Sequence, residues 1–227
     1  MLDCKEIVQL NIPCLLKRLH SLCVHGCQML KVVESYAPNI ATFHFSGHVH
    51  AVRMLGLLQV KDLEMSCLDR SSILCYALTN LLSIAPNIEK LGISSRAKIR
   101  DIYIPQGHMG HPWTLGDPEQ LRQVPEHRHV NLKKFEVVSF CYAKSLVELT
   151  CHILETASSL NHVKLDNCGF AKFCASGSGR CCPHYTEQIM EACNAALGIR
   201  TYIMGKVPPT VKFNLIEPCS RYRAPVQ

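Results

Sequence analysis

The amino-acid sequence predicts an α/β solenoid, with short parallel strands laid side by side and helices or irregular segments on the convex flank. Three observations point to it. Apolar residues at offsets 0, 3 and 5 recur as Leu19, Leu22, Val24; Ile40, Phe43, Phe45; Val60, Leu63, Met65; Ile88, Leu91, Ile93; Leu132, Phe135, Val137; and Leu160, Val163, Leu165. The lead residues are separated by 21, 20, 28, 44 and 28 positions. Stretches with helical periodicity lie between triplets, and the phrase "APNI" opens two of them, at Ile40 and Ile88.

A helix brings offsets 0 and 3 together but not 5, and a plain strand alternates from the start. Offsets 3 and 5 therefore alternate on a short strand, and offset 0 anchors the turn into it. Apart from the 44, the intervals are unit lengths of leucine-rich repeats, whose signature is LxxLxLxxN/C. The Asn or Cys at offset 8 belongs inside, bonding backbone that the turn leaves unpaired. Cys27 and Cys168 occupy that place, while His48, Leu68, Arg96 and Phe140 hold it elsewhere.

The helices follow in order. Leu74, Leu78, Leu81 and Ala85 share one stripe, with Asp69 or Ser71 as cap and Pro86 closing the run. The doubled interval contains Ile102 to His129, whose four prolines and three glycines read as a loop insertion with a short helix near Pro118 to Arg122. Leu146, Leu149, Ile153, Leu154 and Ala157 form a second apolar stripe. "CASGSGRCCPHY" is a loop leading into a helix from about Tyr185 to Leu197, which Gly198 is expected to stop at the C′ position. "VKFNL", Val211 to Leu215, alternates as a closing strand within a C-terminal segment, 199–227. The whole chain, 1–227, reads as a single domain.

Composition narrows the class. A hydrophobic content of 48% with 19% charged residues is globular, and the net charge of +6 is mild. Asp3 and Glu6 sit where a signal peptide needs basic and then apolar residues. No apolar run approaches the roughly 18 residues of a membrane span. A cytoplasmic or nuclear location is therefore expected, with the fourteen cysteines mostly as thiols.

The stretches "IPCLLKRLHSLCVHGC", "VVESYAPNIATFHFSG", "LKKFEVVSFCYAKSLVELTCHILETASSLNHVKLDNC" and "IRTYIMGKVPPTVKFNLIEPCSR" resemble the leucine-rich-repeat part of plant F-box/LRR proteins with an FBD-like C-terminal region. The resemblance implies substrate recognition within a ubiquitin ligase, where an F-box binds the Skp1 adaptor. The residues before Leu19 are too few to house an F-box, so adaptor binding is not expected of this chain. "LDC", Leu2 to Cys4, looks like the end of a strand, so the chain is read as starting mid-repeat. An uncapped N-terminal edge of that kind predicts self-association, or else a truncated relative of a longer protein.

Residues at offsets 2, 4 and 6 point away from the core onto a concave face. They are Ser21, Cys23, His25; Thr42, His44, Ser46; Asp62, Glu64, Ser66; Lys90, Gly92, Ser94; Lys134, Glu136, Val138; and His162, Lys164, Asp166. Their signs alternate along the array with no basic stripe and no aromatic platform, which disfavours nucleic acid. The expected partner is a protein substrate. An alternative reading is a zinc-stabilised or thiol-reactive protein built on Cys168, Cys174, Cys181, Cys182 and His184, although zinc ligands usually pair two to four residues apart. "HFSGHVH" offers His44, His48 and His50 without the Glu of HExxH. "GSGRCC" lacks the third glycine of a dinucleotide loop, "GKV" lacks the rest of a phosphate loop, and GxSxG is absent. No enzyme, cofactor or metal is assigned.

Overall fold

The computed structural model describes residues 6–27, 29–47, 52–67, 84–95, 128–141, 144–167 and 186–217. Among the described residues, seven parallel strands form the main sheet: β2 (Ser21–His25), β4 (Thr42–Gly47), β6 (Asp62–Cys67), β7 (Lys90–Ser95), β8 (Lys134–Val138), β9 (His162–Asp166) and β10 (Lys212–Ile216). They lie side by side in chain order, and each of the six triplets supplies one strand.

The turn before each strand accounts for the triplet spacing. The amide of the lead residue bonds back to the carbonyl three residues earlier: Leu19 to Leu16 (3.1 Å), Val60 to Leu57 (3.1 Å), Ile88 to Ala85 (3.4 Å), Leu132 to His129 (3.4 Å) and Leu160 to Ala157 (3.2 Å). "APNI" at 85–88 is such a turn, with proline where a fixed φ suits the first central position. The next carbonyl accepts two amides from the following coil. Lys61 O takes Glu89 N (2.7 Å) and Lys90 N (2.9 Å), and Glu89 O takes Lys133 N (2.8 Å) and Lys134 N (3.0 Å). The chain then enters the strand, and alternation begins.

Two apolar rows run across this sheet. Leu22, Phe43, Leu63, Leu91, Phe135 and Val163 make one, and Val24, Phe45, Met65, Ile93, Val137 and Leu165 the other, each 7% exposed or less. Each such side chain contributes roughly 1.5–3 kcal/mol of burial. A coil hides its apolar flank only against its neighbours, so stability belongs to the stack. At offset 8, Cys27 is buried and its thiol donates to His25 O at 3.6 Å, and Phe140 is buried too.

The opposite flank departs from the expectation of helices or irregular chain. On the first three coils it is a second parallel sheet of β1 (Gln9–Ile12), β3 (Val32–Ser35) and β5 (Arg53–Leu55). Coil length explains this. Intervals of 21 and 20 residues leave too little chain for a multi-turn helix and two loops, whereas the 28 between Leu132 and Leu160 holds the 13-residue α1 (Lys144–Thr156). Ile12, Val33 and Met54 face the core from this sheet. Gly56 follows β5 with φ of +72°, and a Cβ there would lie 2.1 Å from Ser35 O, so only glycine fits.

The predicted stripe of α1 is buried, and so are Glu148, Thr150, Cys151 and His152 on its other sides. The C-terminal segment covers part of it: Cys151 Sγ donates to Tyr202 O at 3.5 Å, and Lys206 Nζ pairs with Glu155 Oε1 at 2.7 Å. Burial pushes the Cys151 thiol above its usual range. In α2 (Thr186–Gly198) the expected stop at Gly198 is not found. Gly198 is right-handed (φ −58°, ψ −41°), and the chain continues as a wider π turn, Ile199–Ile203, then a 3₁₀ turn, Met204–Lys206. The π turn buries Ile199 and Ile203 completely.

The closing strand is confirmed as β10, one residue out of template. Lys212 pairs with His162, so Val211, Phe213 and Leu215 alternate instead of showing the 0, 3, 5 spacing. Leu2 to Cys4, the helix stripe from Leu74 to Leu81, and the insertion up to residue 127 lie outside the described residues. Among the described residues, no helix is long and apolar enough to cross a membrane.

Candidate protein-recognition face

The register sorts the outward side chains of the main sheet into rows. One row reads Ser21, Thr42, Asp62, Lys90, Lys134, His162, Lys212. The next reads Cys23, His44, Glu64, Gly92, Glu136, Lys164, Asn214. The third reads His25, Ser46, Ser66, Ser94, Val138, Asp166, Ile216. With strands about 4.8 Å apart, these rows form one continuous and mainly polar surface, with Val138 and Ile216 as apolar members of the third row.

Most predicted face residues are exposed or half-buried, as the alternation requires. Ser94 and Asp166 are exceptions, at 8% and 6% exposure. Both lie at the C-terminal end of their strands, Ser94 next to last in β7 and Asp166 last in β9, and Asp166 is flanked by β10 through its pairing with Ile216. Neither presents a side chain to a partner.

The charge pattern also departs from the alternation expected. His44 Nδ1 lies 2.9 Å from Glu64 Oε2, and Lys90 Nζ lies 3.6 Å from Asp62 Oδ2, so the acidic groups of β6 engage their neighbours. Beyond them Lys90, Lys134, His162 and Lys212 stack in a single row, with Lys164 beside them. The face is neutral at β2 and β4, mixed at β6 and β7, and basic across β8 to β10. At Gly92 the side-chain layer has a notch: a Cβ there would meet Glu64 Cγ at 3.4 Å.

Two supporting ladders border this face. Asparagines one position before the lead residue reach the preceding coil. Asn39 Nδ2 donates to Lys17 O at 2.6 Å, Asn87 Nδ2 to Leu58 O at 2.9 Å, and Asn131 Nδ2 to Asn87 Oδ1 at 3.4 Å. One position after the lead, Glu89 sits between Lys133 (2.7 Å) and Lys61 (3.2 Å), each from an adjacent coil. The Lys133 hydrogen bond first, and Lys61 second, hold the Glu89 carboxyl below the usual carboxylate range.

Lys212 and Asn214 were missed by the sequence because β10 escapes the triplet template. Cys168, Cys174, Cys181, Cys182 and His184, with His48 and His50, lie outside the described residues. Among the described residues, no group of three or more His, Cys, Asp or Glu is arranged to hold a metal ion.

The family model described as the LRR domain of At1g61320/AtMIF1 matches residues 1–102 and 101–220. Neither the curated proteins nor the solved structures compared with the chain gave a match.

Proposed function

We propose that this chain, which belongs to the At1g61320/AtMIF1 LRR-domain family, recognises another protein through the outward rows of its seven-stranded sheet. The observation that carries this reading is the common register of all seven strands, which turns alternate residues into one mainly polar surface over a buried apolar layer. Such rigid, extended sheet faces are the binding surfaces of repeat proteins. The finer reading is the substrate-binding part of an F-box-type ubiquitin ligase component, acting in the cytoplasm or nucleus. The sequence resemblance described above supports it. Skp1 binding is not part of the proposal, and no catalytic step is assigned to any residue.

The test is affinity capture by the purified chain with protein identification. A bound partner should be lost on Thr42→Arg or Lys134→Glu, which alter the face, and kept on Arg53→Glu on the second sheet. Capture insensitive to both face substitutions would overturn the reading.

A further inference from the structure

We infer that the β8–β10 end of this face docks a carboxylate-rich, extended segment of the partner protein. The inference rests on the face-recognition reading and adds the partner's chemistry and orientation. Lys134, His162 and Lys212 stand in one row on three adjacent strands, with Lys164 one outward position further along β9. Lys134 and Lys212 are exposed, and His162 and Lys164 are half-buried. No ion pair engages Lys134, Lys164 or Lys212 among the described residues. Elsewhere the sheet satisfies its charges internally, as at Lys90 with Asp62 and at Lys133 with Glu89. Glu136 is the one acidic side chain of β8–β10 on the outward rows that is not buried.

Two strand spacings separate Lys134 from Lys212, roughly 10 Å. An extended chain in the polyproline-II form advances about 3.1 Å per residue with three residues per turn, so carboxylates three residues apart on a segment crossing the strands lie on one side, roughly 9 Å apart, and reach both lysines. A phosphate would favour a converging, bidentate arginine, and none of the outward rows contains an arginine. Nucleic acid would favour aromatic stacking surfaces, which the rows also lack, and would meet Asp62, Glu64 and Glu136 as it ran along the sheet. The charge gradient fixes direction. The acidic end of the segment lies over β8–β10, and its neutral continuation lies over Ser21, Thr42 and Ser46.

The experiment probes an array of immobilised twelve-residue peptides, in acidic, neutral, basic and phosphoserine sets, with the whole chain at low and moderate salt. A single-stranded oligonucleotide of matched charge is included. Lys134→Glu/Lys212→Glu is compared with Lys31→Glu/Arg53→Glu, an equal charge change on the opposite flank, and circular dichroism monitors folding of both. The expected result is binding to Asp/Glu peptides that falls at least ten-fold in the face variant and less than two-fold in the control. Equal losses in both variants, or preference for phosphopeptides or the oligonucleotide, would overturn the inference. Peptide binding without acidic bias that is abolished by Thr42→Arg would overturn it while leaving face recognition standing. Binding indifferent to every face substitution would overturn both.

Discussion

Phe135→Ala and Lys134→Ala are neighbours in the chain and should differ by several kcal/mol in cost. Phe135 is fully buried at the middle of its row, between Leu91 on β7 and Val163 on β9. An aromatic side chain hides about 150–250 Å², which at about 25 cal/mol per Å² corresponds to roughly 4–6 kcal/mol. Alanine retains a small part of this and a cavity adds to the loss, giving about 3–5 kcal/mol for the substitution. Against a domain stability of about 5–15 kcal/mol, that is a large fraction. Lys134 is exposed and makes no ion pair among the described residues, so its truncation should stay within about 0.5 kcal/mol. Urea unfolding followed by circular dichroism measures both. A cost below about 1 kcal/mol for Phe135→Ala, or equal costs for the pair, would refute the assigned register.

Gly56→Ala should destabilise by about 1–3 kcal/mol, because it combines positive φ with a clash on Ser35 O, whereas Gly205→Ala, with nothing within 4 Å of its Cβ, should be neutral or slightly stabilising. Equal melting temperatures for the two variants would contradict this. Asn87→Ala should cost about 0.5–1.5 kcal/mol through the lost bond to Leu58 O, and Asn87→Asp should not restore it, since that contact needs a donor. Full rescue by aspartate in a thermal melt would rule out the donor role. Glu89, with its carboxyl held below the usual range, contributes stability at neutral pH that disappears as pH falls through the lowered folded value. The difference in melting temperature between wild type and Glu89→Gln should therefore shrink on acidification, and a constant difference would count against the Lys61–Glu89–Lys133 ladder.

What the sequence made legible was the repeating apolar layer, because each coil must bury the same two strand positions and so repeats the same letters. Leu91 and Ile93 are recognisable as partners of Leu63 and Met65 from spacing alone. The second sheet was not legible. Its strands are three or four residues long, and only coil length distinguishes their place from that of a helix. "APNI" stood out as a phrase, but the donor role of Asn87 appears only when the preceding coil is set beside it. Likewise Lys90, Lys134, His162 and Lys212 are scattered over more than a hundred positions. Their stacking depends on register carried across the 44-residue interval and on a last strand whose entry is one residue short. Gly198 misled because a glycine after an apolar helix is an ordinary stop signal, and here Ile199 and Ile203 continue into the core instead.

Backbone cross-strand contacts in solution, read by nuclear Overhauser effects on the isotope-labelled chain, test the central proposition most directly. Parallel-strand contacts should link Lys134 to Lys90 and His162, and His162 to Lys212, with Phe135 and Val163 opposite one another on the buried side. Antiparallel contacts, or a one-residue slip that placed Phe135 on the outer row, would contradict both the fold and the recognition face built on it.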